Sequence, residues 1–265
     1  MAKRNRVVSF GLTPTPPGVH PWGVFGGTTT DGTDADKGLD DLVKRGGNQN
    51  PTNTCVWWAI VQALYVRLGA MGLPQKWASI LAGYYATRMR SHNGDKTKIH
   101  DLVGCRPPDA AMVVREVGLV PDAMWPFVPS QVDAEPPWDV IVAGDDDWFC
   151  LRRIIVPDGD RGKAVRHIIH DLRTPVLIGQ EVNQEYIDWE PGDMPWTLPL
   201  GGPVKGRHME LIATYNRVGP KTVSSWGDWY DRQMAWKQVE SDSVSDLWYP
   251  VIDREKALRV FGGVW

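Results

Sequence analysis

Gln49-Asn50-Pro51-Thr52-Asn53-Thr54-Cys55 runs directly into Val56-Trp57-Trp58-Ala59-Ile60-Val61-Gln62-Ala63-Leu64-Tyr65. Thr52, Asn53 and Thr54 are residue types that cap helix N-termini, and the apolar positions beyond them are too continuous for a helix with a wet face. The stretch predicts a buried helix over about 54–69 with Cys55 in its first turn. A thiol there meets the positive end of the helix dipole, which favours thiolate and draws a cysteine pKa down from about 8.5. A histidine brought to that thiol would make the pair a nucleophilic centre.

Working outward, helical patterns follow at about 74–90 and 108–117, the latter with Asp109 near its start and Gly118 as a stop signal. From Phe149 the texture changes. Segments 151–156 and 176–182 are β-rich, and an amphipathic helix at about 161–173 places Ala164, Val165, Ile168, Ile169 and Leu172 on one face. Further strands are expected at about 207–215, 221–226 and 232–239. Helices first and strands later is an α+β pattern: a helical lobe over about 37–145, an antiparallel β-rich lobe over about 146–265, and a cleft between them. Residues 1–36, rich in Gly, Pro and Thr, read as an extended arm ahead of a domain spanning 37–265.

The 265 residues are 42% hydrophobic, enough for a proper core, and the net charge of -3 makes no electrostatic case for a nucleic-acid or membrane partner. No apolar stretch reaches the roughly 18 residues of a membrane span. The basic start Lys3-Arg4-Arg6 lacks the apolar run of a signal peptide behind it. Cys55, Cys105 and Cys150 are too few for a disulfide scaffold, so a reducing compartment, cytoplasmic or virion-associated, is expected. Fourteen tryptophans read as packing residues more readily than as a sugar- or protein-binding surface, because most fall inside periodic segments.

His208 opens the alternating run Gly206-Arg207-His208-Met209-Glu210-Leu211-Ile212-Ala213-Thr214-Tyr215, with its side chain on the face of Glu210 and Ile212. A turn at Val218-Gly219-Pro220 returns the chain through Lys221-Thr222-Val223-Ser224-Ser225-Trp226-Gly227, so a residue of the second strand can reach the histidine. Cysteine, base and a polar group to hold the base are the parts that acyl transfer by a thiol needs.

Order and spacing here resemble the papain-like cysteine peptidases. Gln49 stands six positions before Cys55, where that family carries an oxyanion-hole glutamine, and Tyr215 closes the histidine strand seven positions after His208. Sixteen positions after the histidine the family has Asn-Ser-Trp-Gly; this chain has Ser224-Ser225-Trp226-Gly227. Between the halves, Gly104-Cys105-Arg106-Pro107, a helix, Gly118 and Trp125-Pro126-Phe127 resemble Gly-Gly-x-Pro, helix, glycine and Tyr-Pro-Tyr, and Thr174-Pro175-Val176 resembles a later "PV" strand. The resemblance covers about residues 40–240 and implies a two-lobed papain-like fold.

It further implies Cys55 as nucleophile, His208 as acid/base partner, Gln49 as oxyanion donor beside the Cys55 backbone N–H, and Ser224 in the place of the asparagine. Trp226 would cover the histidine's supporting hydrogen bond, and Gly104 and Cys105 would pair with an extended peptide. Ser224 offers a shorter group than asparagine, Cys105 adds a side chain where the family has glycine, Val56 replaces tryptophan, and Thr52 stands where many members have a disulfide cysteine. The 54 residues ahead of Cys55 are expected to leave no room for the large inhibitory prodomain of secreted relatives, and the resemblance thus leads us to expect a compact, non-secreted member of bacterial or phage style.

Other candidates have plainer readings. His167 and His170 share a helix face, but no ligand pattern completes a metal site, and Asp145-Asp146-Asp147 lacks the alternation and glycine of a calcium loop. No metal or cofactor is implied. Glu210 lies on the histidine's face as a structural or steadying group. Three functions follow: thiol-dependent hydrolysis of peptide or isopeptide bonds on an extended peptide or protein substrate; an inactive papain-like domain in an assembly contacted through the arm; or acyl transfer to an amine, as in transglutaminases.

Overall fold

The computed structural model describes residues 37–44, 47–101, 104–144, 148–189, 203–227 and 232–261. The arm at 1–36 and the acidic triplet at 145–147 lie outside them. Four helices come first: α1 (Cys55–Ala70), α2 (Ile80–Ser91), α3 (Pro107–Glu116) and α4 (Trp138–Val142). They are preceded by the short strand β1 (Lys37–Gly38). The chain then runs β2 (Phe149–Arg153), α5 (Arg161–His170), β3 (Val176–Val182), α6 (Gln184–Asp188), β4 (Gly206–Tyr215), β5 (Pro220–Val223), β6 (Arg232–Gln233), α7 (Trp236–Val239), β7 (Val244–Ile252) and α8 (Arg254–Phe261).

Continuous apolarity makes α1 a central helix, and twelve of its sixteen residues are buried. Gln62, the polar exception, donates to the Lys44 carbonyl at 2.6 Å. The expected start of the second helix at 74 is corrected to Ile80. Pro74 and the extended residues behind it delay the helix until Ser79, whose hydroxyl accepts from the Ala82 N–H at 3.1 Å. The third helix begins with Pro107 in its first turn and stops at Gly118, whose φ of 82° is a left-handed conformation suited to glycine.

The strands form one antiparallel sheet in the order β2-β7-β3-β4-β5-β6, with β1 pairing beside the end of β4. Alternation along β4 divides the core. Met209, Leu211 and Ala213 pack toward α1, Leu177 and Trp248. On the other face Ile212 joins Val176, Ile178 and the α5 residues Ala164, Val165, Ile168 and Ile169. Leu172, expected on that α5 face, lies beyond the end of the helix and is exposed. The strand expected over 232–239 ends at Gln233; residues 236–239 form a turn of helix on which the Trp236 ring meets Arg166 and Tyr215.

Candidate active site

The segment leading into α1 is tied down by the backbone of Gln49. Its carbonyl accepts from the Thr52 N–H at 2.7 Å and the Thr52 hydroxyl at 2.5 Å. Thr54 occupies the cap position of α1 but makes no side-chain cap bond; its hydroxyl pairs with that of Thr52 at 2.8 Å. Cys55 is thereby fixed as the first residue of the helix, with 0% of its surface exposed.

The same segment is stitched to the chain after β5. The Gln49 N–H donates to the Ser225 carbonyl at 2.7 Å, the Gly227 N–H to the Gly47 carbonyl at 2.9 Å, and Asn48 and Trp226 form an antiparallel bridge. The buried Gln49 side chain reads both sides of this seam. Its Oε1 accepts from the Ser225 hydroxyl at 2.5 Å, and its Nε2 donates to the Thr52 carbonyl at 3.0 Å.

His208 is the third residue of β4, one strand from the edge pair β5–β6, and is also 0% exposed. Its Nε2 lies 3.0 Å from the Ser224 Oγ. A hydroxyl can accept from a ring N–H or donate to a ring nitrogen, so Ser224 serves either tautomer. The Trp226 indole stacks on the imidazole with centroids 4.0 Å apart and planes 25° apart. Nδ1 is buried and has no hydrogen-bond partner among the described residues. Burial first, and then the Arg232 guanidinium, hold the His208 pKa well below its ordinary 6.5.

The sequence reading missed the groups behind the histidine. Arg232 on β6 is buried, donates to the Tyr186 carbonyl at 3.0 Å, and sits 4.2 Å from the Tyr186 ring centroid and 5.3 Å from that of Trp226. Glu210, on the face of His208 as expected, accepts from the Gln180 amide at 3.0 Å. An arginine in a two-residue strand carries no periodic signal.

Gly104 and Cys105 are buried as well. Burial pushes the Cys105 thiol well up, Arg88 opposes this, and negative charge on Cys55 would push it further. Next to Cys105, Arg106 helps line a cavity of about 670 Å3 together with Arg90 and Ser91, over Asp109. Asp109 holds Arg106 at 2.8 Å and accepts from Ser91 at 2.7 Å. His167 and His170 both contact Asp171, His167 at 2.6 Å, and no group of three metal-ligand side chains gathers among the described residues.

No known protein family and no curated protein is matched by the sequence. Solved structures are. Xylellain, a cysteine protease from Xylella fastidiosa, superposes with a TM-score of 0.73 at 15% identity, over 96% of this chain and 100% of that one. Digestive procathepsin L 3 of Tenebrio molitor larval midgut gives 0.62 at 13%, over 85% and 72%. Bromelain from Ananas comosus, in complex with the E64 inhibitor, gives 0.58 at 15%, over 82% and 99%. The fold is therefore the papain-like α+β fold of the cysteine proteases.

Proposed function

We propose that this protein is a thiol-dependent hydrolase of peptide or isopeptide bonds, with Cys55 as nucleophile and His208 as its acid/base partner. The observation that carries the reading is the state of the His208 ring: one nitrogen held by Ser224, one face covered by Trp226, and the other nitrogen buried without a described partner. That leaves Nδ1 as the ring nitrogen that can take a thiol proton. Nδ1 takes the Cys55 proton as the sulfur attacks the substrate carbonyl, and the Nε2–H stays on the Ser224 hydroxyl. The tetrahedral oxyanion is received by the Cys55 backbone N–H and the Gln49 amide, which the Ser225 bond orients. His208 then returns the proton to the leaving amine, and water hydrolyses the thioester. The substrate would lie extended between a helical lobe over 37–145 and a β-rich lobe over 146–265, against Gly104 and Cys105 and toward the cavity beside Arg106.

Burial favours a second reading. With Cys55 and His208 both at 0% exposure, an inactive domain serving an assembly accounts for the closed site without a substrate. The two separate on treatment with a peptidyl epoxide near neutral pH, followed by mass spectrometry. The hydrolase reading expects the adduct on Cys55 ahead of Cys105 and Cys150, and its loss in His208→Ala with the fold intact. Slow, even modification of all three cysteines supports the inactive domain. Incorporation of an added amine into a protein substrate, in place of hydrolysis, moves the assignment to acyl transfer.

A further inference from the structure

Four buried polar residues, Gln49, Thr52, Thr54 and Ser225, are bonded to one another just ahead of Cys55. The Gln49 carbonyl accepts from both the N–H and the hydroxyl of Thr52, at 2.7 and 2.5 Å, and the Thr52 carbonyl accepts in turn from Gln49 Nε2 at 3.0 Å. A hydroxyl has one hydrogen. Thr52 gives its own to Gln49, so in the 2.8 Å contact between the two threonines Thr52 accepts and Thr54 donates. Thr54 stands at the cap position of α1 and makes no side-chain cap bond, so a residue type that ordinarily caps a helix is committed to Thr52 instead. None of the three cysteines is in a disulfide, and Thr52 stands where the resemblance places a disulfide cysteine. Hydroxyls hold this segment in place of a covalent bridge.

These bonds decide which way the Gln49 carboxamide faces. At one end, Oε1 accepts from the Ser225 hydroxyl at 2.5 Å. That bond anchors the group without choosing its sense, because a serine hydroxyl can equally accept from an amide N–H. The Thr52 carbonyl is different, since it can only accept. Turning the amide over would set Oε1 against that carbonyl oxygen in a buried place, with no hydrogen between them. The observed sense, nitrogen toward Thr52 and oxygen toward Ser225, is therefore fixed by the position of the Thr52 carbonyl. That position is set by the N–H and hydroxyl that Thr52 directs at Gln49, and by the Thr54 hydroxyl behind them.

Accepting Cys55 and His208 as the working pair and Gln49 as the oxyanion donor, we propose that Thr52 is a positioning residue that acts through Gln49. It keeps N–H groups, and not lone pairs, at the end of the amide that must meet the developing oxyanion. Thr54 supports it one bond further out. The arrangement contributes where negative charge develops on a carbonyl oxygen, and a reaction of Cys55 that makes no oxyanion does not use it.

Two reactions of one thiol make the test. Iodoacetamide alkylates sulfur by displacing iodide and passes through no oxyanion. p-Nitrophenyl acetate transfers its acetyl group to sulfur through a tetrahedral oxyanion, the thiol proton passing to His208 as p-nitrophenolate leaves. Both adducts are followed on Cys55 of the full-length protein by mass spectrometry. In T52V, which is isosteric and keeps the backbone groups, we expect acetylation to slow about tenfold or more while alkylation stays within about twofold, and T52S to restore the wild-type ratio. Q49A should show the same selective loss, about a hundredfold, and T52V should add little to it. T54V makes the same comparison by the same criteria if T52V does not fold. Acetylation that is unmoved in T52V, or that T52V slows as much in Q49A as in the wild type, overturns the proposal. So does a parallel slowing of both reactions, which is what a purely structural role gives. A wild type whose Cys55 is not acetylated ahead of Cys105 and Cys150 removes the hydrolase reading and this inference with it; a reactive wild type with an unmoved ratio in the variants overturns this inference alone.

Discussion

A hydroxyl at position 224 does for His208 only part of what a carboxamide can do. It reaches Nε2 at 3.0 Å, but it can donate as readily as accept, so it does not by itself select the tautomer with the proton on Nε2. Replacing it by alanine leaves a buried ring nitrogen unpaired, at a cost of about 1–3 kcal/mol. Ser224→Ala should therefore lower kcat/KM about tenfold to a hundredfold with KM little changed, as steady-state kinetics would show. The thiols should differ in kind. Burial holds Cys105 above its ordinary pKa, and a thiol is nucleophilic only as thiolate, so iodoacetamide at pH 8 should spare Cys105 in the native protein and label it after unfolding. At this scale the contacts of Ser224 and Trp226 with His208 were legible through the resemblance, whose register sets them 16 and 18 positions after the histidine. Arg232 and Tyr186 were not, because they meet each other and Trp226 only through contacts between segments far apart in sequence, which no local pattern encodes.

Among the elements, α1 and α2 meet most tightly where Gly83 faces Trp57. A Cβ at position 83 would come within 2.3 Å of the indole, which is itself pinned by its N–H bond to the Thr87 hydroxyl at 2.8 Å. Gly83→Ala should destabilise by about 1–3 kcal/mol in urea unfolding, against the small gain that alanine brings to an open helix. Ser79→Ala should cost about 1–2 kcal/mol, since that hydroxyl both caps α2 and donates to the Trp125 carbonyl at 2.5 Å. The helices with strong stop and start signals and the strands with clean alternation were readable, β3 to the residue. The longest strand missed was β7. Its Val-Ser-Asp-Leu-Trp-Tyr-Pro-Val-Ile does not alternate, and it contains a proline, which argues against an interior strand. Pairing on both sides, with β2 and β3, overrides that local preference.

For the whole molecule, a neutral imidazole sealed in the sheet has a thermodynamic consequence. The unfolded chain binds a proton at His208 near pH 6.5, whereas the folded chain does so only well below that, so the unfolded state holds more protons between the two values. Stability is then full above about pH 6.5 and declines as pH falls toward the folded pKa. Melting temperature should drop on acidification from pH 7, and His208→Gln should flatten that slope. The fold class and the order of helical and β-rich parts could be read in advance because they follow from periodicity and chain order. The closure of the site could not, since burial is a property of the assembled chain. That closure also makes reactivity the decisive quantity. The rate at which a peptidyl epoxide modifies Cys55 near pH 7, compared between wild type and His208→Ala, tests the central claim most directly. The Cys55–His208 account predicts a Cys55 adduct forming well ahead of Cys105 and Cys150 and vanishing in the variant; equal rates on Cys55 with and without the histidine would contradict it.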